Sequence, residues 1–338
     1  APVAIKVAAG AAARRGLVIR NAAAFETLVA ADVVAFDKTG TLTYGKPQVV
    51  SVEWNEKLSH AFGANASRLA GALNQSSHPL SKALLSFLEG VTRRSTPPLA
   101  FDEHPGKGFQ AAFDDGAVVT VGNARWMREN RINTPLEDDR KIYAAVNTEI
   151  WAAFVVQDAI KAEAAQTVQT FKSWGVETVL LTGDHVENTQ PVAEAVGIDR
   201  FEARLLPAQK AERIRQMQAN GKVVVMVGDG VNDAPAFATA NVGAAMGNGS
   251  QLAVRHADIV VMGGDLRKLV FLFRLARKTR RIVLQNVVWA LGYNVVVLPT
   301  ALGIFHPVHL SPGAAGGLMA LSSLVVVLNG LRIKFFKA

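Results

Sequence analysis

The 338-residue chain has no cysteine. That excludes disulfides, thiolate metal centres and cysteine nucleophiles. Charge is also sparse, with 19% Asp, Glu, Lys and Arg against 50% hydrophobic residues, and the mean hydropathy is +0.19. That balance is high for a wholly soluble protein and points to membrane content. No basic stretch and small-residue cleavage site bracket an apolar core, so no signal peptide is read. The chain opens on Ala1 rather than Met and reads as a piece of something longer. No segment repeats at a fixed period. The length suits two or three domains, and Lys plus Arg exceed Asp plus Glu by 8.

The hydrophobic excess is concentrated in the last third. Residues 282–305 carry no charge, and neither do 313–331. Each run is long enough to span a bilayer. Arg274, Arg277, Lys278, Arg280 and Arg281 precede the first run, and Arg332, Lys334 and Lys337 follow the second. Positive charge at the two outer ends puts both on the cytoplasmic side. Beside a span, this basic run favours contact with the lipid bilayer over nucleic acid. Residues 1–13 are small and apolar apart from Lys6. They read either as the end of a membrane helix, taken to 1–16, or as an amphipathic helix.

Between these ends lie two patterns. Residues 46–148 alternate short strands (49–53, 110–113, 117–121) with helical stretches at 60–73 and 79–90, and Pro79 suits a first helical turn. This is an α+β module inserted into another domain. From 150 the pattern is β-α-β-α: strands at 150–156, 178–181, 223–227, 242–245 and 258–262, helices at 161–174, 187–196 and 207–220. The Val223–Val227 run is wholly apolar, as expected of a strand buried on both faces of a parallel sheet. A short helix at 26–31 precedes the apolar Val33-Val34-Ala35-Phe36.

Three strands end in charged motifs. Asp37-Lys38-Thr39-Gly40-Thr41-Leu42-Thr43 follows Phe36, Thr182-Gly183-Asp184 follows Leu181, and Gly228-Asp229-Gly230-Val231-Asn232-Asp233 follows Val227. In a parallel sheet such ends meet on one edge, where ligands bind. A lone Asp at a strand end also serves as a cap or turn residue. Together the motifs read as a phosphoryl-transfer site. Asp37 is the nucleophile toward ATP, Asp229 and Asp233 hold Mg²⁺, and Lys210 and the Thr182 hydroxyl offset the charge on the phosphoryl group. Thr39 stands where an acid would protonate a leaving group or activate water. A threonine there favours an aspartyl phosphate that persists.

The motifs DKTGTLT at 37–43, TGD at 182–184 and GDGVNDAPA at 228–236 together resemble a P-type ATPase, whose phosphorylation domain belongs to the haloacid dehalogenase superfamily. Ser77-His78-Pro79-Leu80 resembles the His-Pro signature of the heavy-metal transporting branch, although Ser77 replaces a frequent Glu. Tyr293-Asn294 and Met319-Ala320-Leu321-Ser322-Ser323 are similar to the membrane signatures of its copper(I) group. The fold implied is α/β. It comprises a haloacid-dehalogenase-like parallel-sheet phosphorylation domain (17–45 and 149–266), an inserted α+β nucleotide-binding domain (46–148) and transmembrane α-helices (282–305 and 313–331).

By residue, the resemblance implies catalytic roles for Asp37, Thr39, Thr182, Gly183, Asp184 and Lys210, with Mg²⁺ held by Asp37, Thr39, Asp229 and Asp233. It implies an ATP pocket formed by His78, Gly106, Gly108, Gly122 and Asn123, and contact between the transported cation and Asn294, Met319 and Ser323. A thioether suits copper(I). The same three polar or soft groups also fit helix packing, and His306 and His309 fit either metal exit or an ordinary loop. The implied setting is a multi-pass protein of the plasma or inner membrane with cytoplasmic catalytic domains. The family's actuator domain, with its dephosphorylating Thr-Gly-Glu loop, has no counterpart in the 338 residues. Pumps for zinc, cadmium or cobalt and a membrane-anchored phosphatase of the same superfamily remain alternatives.

Overall fold

A computed structural model describes residues 2–132, 141–229, 233–247, 256–301 and 311–336. The chain forms two compact units, Ala1–Leu42 with Ala162–Ala338, and Thr43–Lys161.

The first unit is built on a seven-stranded sheet. Its strands are β1 (Leu17–Ile19), β2 (Val33–Phe36), β9 (Glu177–Leu181), β10 (Arg200–Glu202), β11 (Val224–Gly228), β12 (Val242–Gly247) and β13 (Ile259–Met262), in the order β1-β13-β12-β11-β2-β9-β10. All pairings are parallel except β1 with β13. The central strand β2 is buried along its whole length, which is why it reads as four consecutive apolar residues. Helices α6 (Ala164–Ser173), α7 (Val186–Val196), α8 (Pro207–Ala219) and α9 (Ala234–Thr239) connect the parallel strands. Phe171 of α6 stacks on Phe36, with ring centroids 6.2 Å apart. Truncating either ring to alanine should cost about 3–5 kcal/mol.

The second unit is a six-stranded antiparallel sheet. Its strands are β3 (Thr43–Trp54), β4 (Ala100–His104), β5 (Gly108–Ala112), β6 (Val118–Gly122), β7 (Lys141–Val146) and β8 (Glu149–Ile160), ordered β3-β8-β7-β6-β5-β4. Helices α3 (Phe62–Leu73), α4 (Pro79–Glu89) and α5 (Ala124–Glu129) belong to the same unit. Its core includes Leu69, Leu84, Phe109, Trp151 and Phe154. The inserted module is wider than the expected 46–148. The segment at 150–156 belongs to β8, which pairs with β3 as a long antiparallel ribbon. It therefore lies in this sheet and not in the parallel one.

The amino-terminal segment forms α1 (Pro2–Ala13), followed by α2 (Ala22–Thr27). The latter starts earlier than the expected 26–31 because the Asn21 side chain accepts from the amides of Ala23 and Ala24. At the other end, α10 (Arg267–Ala301) runs for 35 residues and α11 (Pro312–Leu331) for 20. The first uncharged run was expected to begin a helix at 282, but the basic stretch before it is already helical. Phe273 stacks on Phe171 at 4.8 Å and Arg277 lies 4.4 Å over the Trp174 ring, so packing on α6 fixes the early turns. At 1.5 Å per residue α10 is about 52 Å long, more than a hydrocarbon core of about 30 Å. Both helices are long and apolar enough to cross a membrane. Val295 is 70% exposed and Leu328 is 53% exposed, which is unlike the core helices of a soluble domain.

Candidate active site

The register of the parallel sheet builds the site. Phe36 of β2 lies opposite Val227 of β11 on one side and Leu180 of β9 on the other. The residues that follow these positions therefore emerge together at the carboxyl edge. The Asp37 amide donates to the Val227 carbonyl at 2.8 Å, so the nucleophile candidate leaves the sheet only after its own backbone is paired. The turn behind it needs glycine at Gly40. There φ is +72°, and a Cβ would come within 2.8 Å of Asp229 Oδ2.

Asp37, Asp229 and Asp233 each offer a carboxylate oxygen, and the three lie within 4.8 Å of one another. Lys210 on α8 donates to Asp37 Oδ1 at 2.5 Å and to Asp233 Oδ1 at 2.8 Å. Asp37, Asp233 and Lys210 are buried. Burial, followed by the charge of Asp233, pushes the Asp37 carboxyl up to about 7, although Lys210 pulls the other way. Burial alone would lower the Lys210 ammonium, but Asp37 and Asp233 outweigh it and hold it above its usual range. Both directions describe one lysine shared by two carboxylates. With all three ionised, three carboxylates and one ammonium leave two negative charges at the edge. An oxygen donor set of that charge and spacing fits a hard divalent ion such as Mg²⁺.

The TGD motif occupies the neighbouring strand end, and its members differ in exposure. Thr182 is buried, and its hydroxyl accepts from the Asp184 amide at 3.2 Å. Gly183 is exposed. The Asp184 carboxylate is ion-paired with the buried Lys38 and accepts from the His185 amide at 2.7 Å. Burial raises Asp184, but the hydrogen bond and charge of Lys38 prevail, and it sits below the usual carboxylate range. Asp184 thus fastens the end of β9 to the residue after Asp37. Lys38 is the residue that sequence reading passed over, and its place directly after the nucleophile was the available signal. Thr39 is exposed, with extended backbone.

In the second unit a cavity of about 530 Å³ is lined by His78, Gly106, Gly108, Gly122 and Asn123, with Leu84, Phe109 and Ile142 among its apolar walls. Helix α4 starts at Pro79, and His78 caps it through Nδ1, which accepts from the Leu80 amide at 3.2 Å. An accepting Nδ1 leaves the proton of a neutral imidazole on Nε2. Asn123 caps α5, accepting from the Trp126 amide at 2.8 Å. Gly108 has φ +152°, and a Cβ there would run into the Val121 carbonyl and the Trp126 indole. Glycine there lets β5 lie close against β6 and Trp126.

A profile of the haloacid dehalogenase-like hydrolases matches residues 31–241. The chain belongs to that family. It is also 36% identical over 347 residues to a copper-exporting P-type ATPase of Staphylococcus haemolyticus (strain JCSC1435), covering 99% of this chain and 42% of that protein. A copper-exporting P-type ATPase of Staphylococcus aureus (strain MW2) is likewise 36% identical, over 98% of this chain and 41% of that one. The chain thus spans about two fifths of the length of these curated relatives. Among solved structures, a zinc-transporting PIB-type ATPase in the E2·Pi state superposes with a TM-score of 0.84 at 29% identity, covering 98% of this chain and 55% of that one. The catalytic domain of the CPx-ATPase CopB-B gives 0.66 at 28% identity, covering 77% of this chain and 96% of that one.

In this haloacid dehalogenase-like hydrolase the two long apolar helices carry the remaining candidate residues. Asn294 on α10 is exposed and Met319 on α11 is 67% exposed. The Ser323 hydroxyl donates to the Met319 carbonyl at 3.1 Å, within its own helix. No hydrogen bond among the described residues joins these three across the two helices. The polar contacts that do bridge α10 and α11 run from Asn329 Nδ2 to Asn286 Oδ1 at 2.9 Å and to Gln285 Oε1 at 3.4 Å. His306 and His309 lie outside the described residues.

Proposed function

We propose that the chain is the catalytic portion, with two membrane helices, of a heavy-metal transporting P-type ATPase that works through an aspartyl phosphate on Asp37. The observation that carries this reading is the buried cluster at one sheet edge, where Lys210 bridges Asp37 and Asp233 with Asp229 alongside. A carboxylate oxygen of Asp37 attacks the γ-phosphorus of ATP. The bond from that phosphorus to the β,γ-bridging oxygen breaks, and ADP leaves with the electron pair. Asp37 must be ionised to attack, and burial and the charge of Asp233 oppose that until a cation is bound beside it. Lys210 orients Asp37 and remains beside the phosphoryl group, where its charge stabilises the transition state. Thr182 contributes a neutral hydroxyl on the facing strand end. Asp229 and Asp233, with Asp37 and Thr39, would hold Mg²⁺, which supplies the positive charge that keeps these carboxylates ionised and offsets the triphosphate. His78, Gly106, Gly108, Gly122 and Asn123 accommodate the nucleoside.

Copper(I) is the cation we favour. Met319 offers a soft thioether, and the curated relatives described above are copper exporters by name. Zinc is the second reading, favoured by the likeness to a zinc-transporting structure. The hairpin of α10 and α11 crosses the membrane with its basic outer ends in the cytoplasm.

Incubating the chain with Mg²⁺ and γ-labelled ATP, then quenching in acid, tests the reaction class. A trapped, acid-stable label is expected. Rapid hydrolysis of simple phosphate esters without trapped label would instead assign a membrane-anchored phosphatase. Metal-stimulated ATPase activity of the full-length protein, compared across copper(I), zinc and cobalt, decides the cation.

A further inference from the structure

A second cavity, of about 260 Å³, lies in the first unit, where the residues just after α1 meet α6 and the first turns of α10. Arg15, Arg267 and Arg274 line it together with Gln166, Thr167 and Thr170, and no acidic side chain does. Arg267 is already paired with Asp265, Nε donating to Oδ1 at 3.0 Å and Nη2 to Oδ2 at 2.9 Å. The other two guanidinium groups have no carboxylate partner among the described residues. Aromatic rings lie beside them instead. Arg15 lies 4.2 Å over the Phe271 ring and Arg274 lies 5.7 Å from that of Trp174. A guanidinium that lies by an aromatic ring and has no carboxylate partner keeps N–H donors for another group. Two such groups converging on one polar cavity repel each other until an anion lies between them. The planar fork matches phosphate oxygens in particular.

The place of the cavity in the fold indicates the source of that anion. Arg274 precedes Ile282, the start of the uncharged run, by eight residues, about 12 Å of helix. The polar interface of a bilayer extends roughly 5–7 Å beyond its hydrocarbon. With the length of an arginine side chain added, a projecting headgroup reaches the cavity. Arg277, Lys278, Arg280 and Arg281 form the approach.

We propose that this cavity binds a phosphate group, supplied by an anionic lipid headgroup. Bound there, the phosphate ties the end of α1 and helix α6, which packs under the Asp37 strand, to the helix that enters the membrane.

Titration calorimetry on the full chain in neutral detergent tests this with short-chain phosphatidylglycerol, short-chain phosphatidylcholine and inorganic phosphate. Phosphatidylglycerol should bind saturably, one per chain, and phosphatidylcholine should not. The double variant Arg15→Gln/Arg274→Gln should weaken that binding at least about tenfold. Arg280→Gln/Arg281→Gln, which removes equal charge outside the cavity, should leave it within about twofold. Because glutamine also removes the aromatic stacking, Arg15→Lys/Arg274→Lys provides a milder change. It keeps the charge, loses the fork, and should still weaken binding several-fold. If inorganic phosphate binds as tightly and displaces the lipid, the site stands and its ligand is soluble phosphate. Absence of saturable binding by either phosphate compound overturns the assignment. So does equal loss in the two glutamine double variants, which would mean a diffuse basic surface, and so does wild-type affinity in the lysine variant.

Discussion

The carboxylate edge of the first unit and the cavity of the second are sites of opposite character. At the edge, three carboxylates and a lysine are packed so closely that burial and like charge lift Asp37 to about 7. In the cavity, His78 and Asn123 are fixed by capping helices, Gly108 and Gly122 let the strands of the wall approach closely, and Leu84, Phe109 and Ile142 supply apolar surface. The first arrangement stores electrostatic tension that a cation and a phosphoryl group can relieve. The second is relaxed, largely apolar and defined by shape. The proposed function gives chemistry to the tense site and recognition to the relaxed one, and substitutions should separate the two.

The largest effect should come from Lys210→Ala. Removing the one ammonium leaves Asp37 and Asp233 facing each other unscreened. Labelling from ATP should slow by about 10²–10³, while the affinity for ATP, measured by calorimetry, should change little. A parallel loss of affinity would break the division of labour. Next in size, Ser77→Trp, at an exposed position on the cavity rim, narrows the cavity and should weaken ATP binding by more than about tenfold. Labelling by acetyl phosphate, which has no base to accommodate, should survive. If acetyl phosphate fails as well, the cavity is not a separate recognition site. His78→Ala should be milder, weakening ATP about fivefold and destabilising α4 by about 0.5–1 kcal/mol through its lost cap, as read by urea denaturation. Smallest is a pH effect. Between about pH 4 and 7 the folded chain keeps a proton on Asp37 that the unfolded chain releases, so that contribution to stability is present at low pH and is lost as pH rises through 7. Asp37→Asn cannot ionise. Without divalent cations its melting temperature should exceed that of the wild type by about 2–5 °C at pH 8 and match it near pH 4.

Much of the edge was legible in the residues because each motif directly follows an apolar run, and strands of a parallel sheet end on one side. The Lys38–Asp184 pair was not, since it depends on the register between β2 and β9, which neither motif states. Strand β1 is three residues long and pairs antiparallel only because β13 presents an edge, so no periodicity marks it. The start of α10 was hidden by its charges. Arg274 and Arg277 look like a solvated flank until Trp174 is placed beneath them. In the two long apolar helices the polar residues stood out by composition, yet the cross-helix bonds fell to Asn329 with Asn286 and Gln285 rather than to Asn294 and Ser323. A lone polar residue in an apolar run shows that a partner is needed without indicating which one.

The central claim concerns Asp37 and is tested most directly by locating the phosphate. The chain should be incubated with Mg²⁺ and γ-labelled ATP, quenched in acid and digested, and the labelled peptide sequenced by mass spectrometry. The phosphate should sit on Asp37 alone, and Asp37→Asn should carry none although the variant remains folded and binds ATP. Label on another residue, or label retained in Asp37→Asn, would contradict the account.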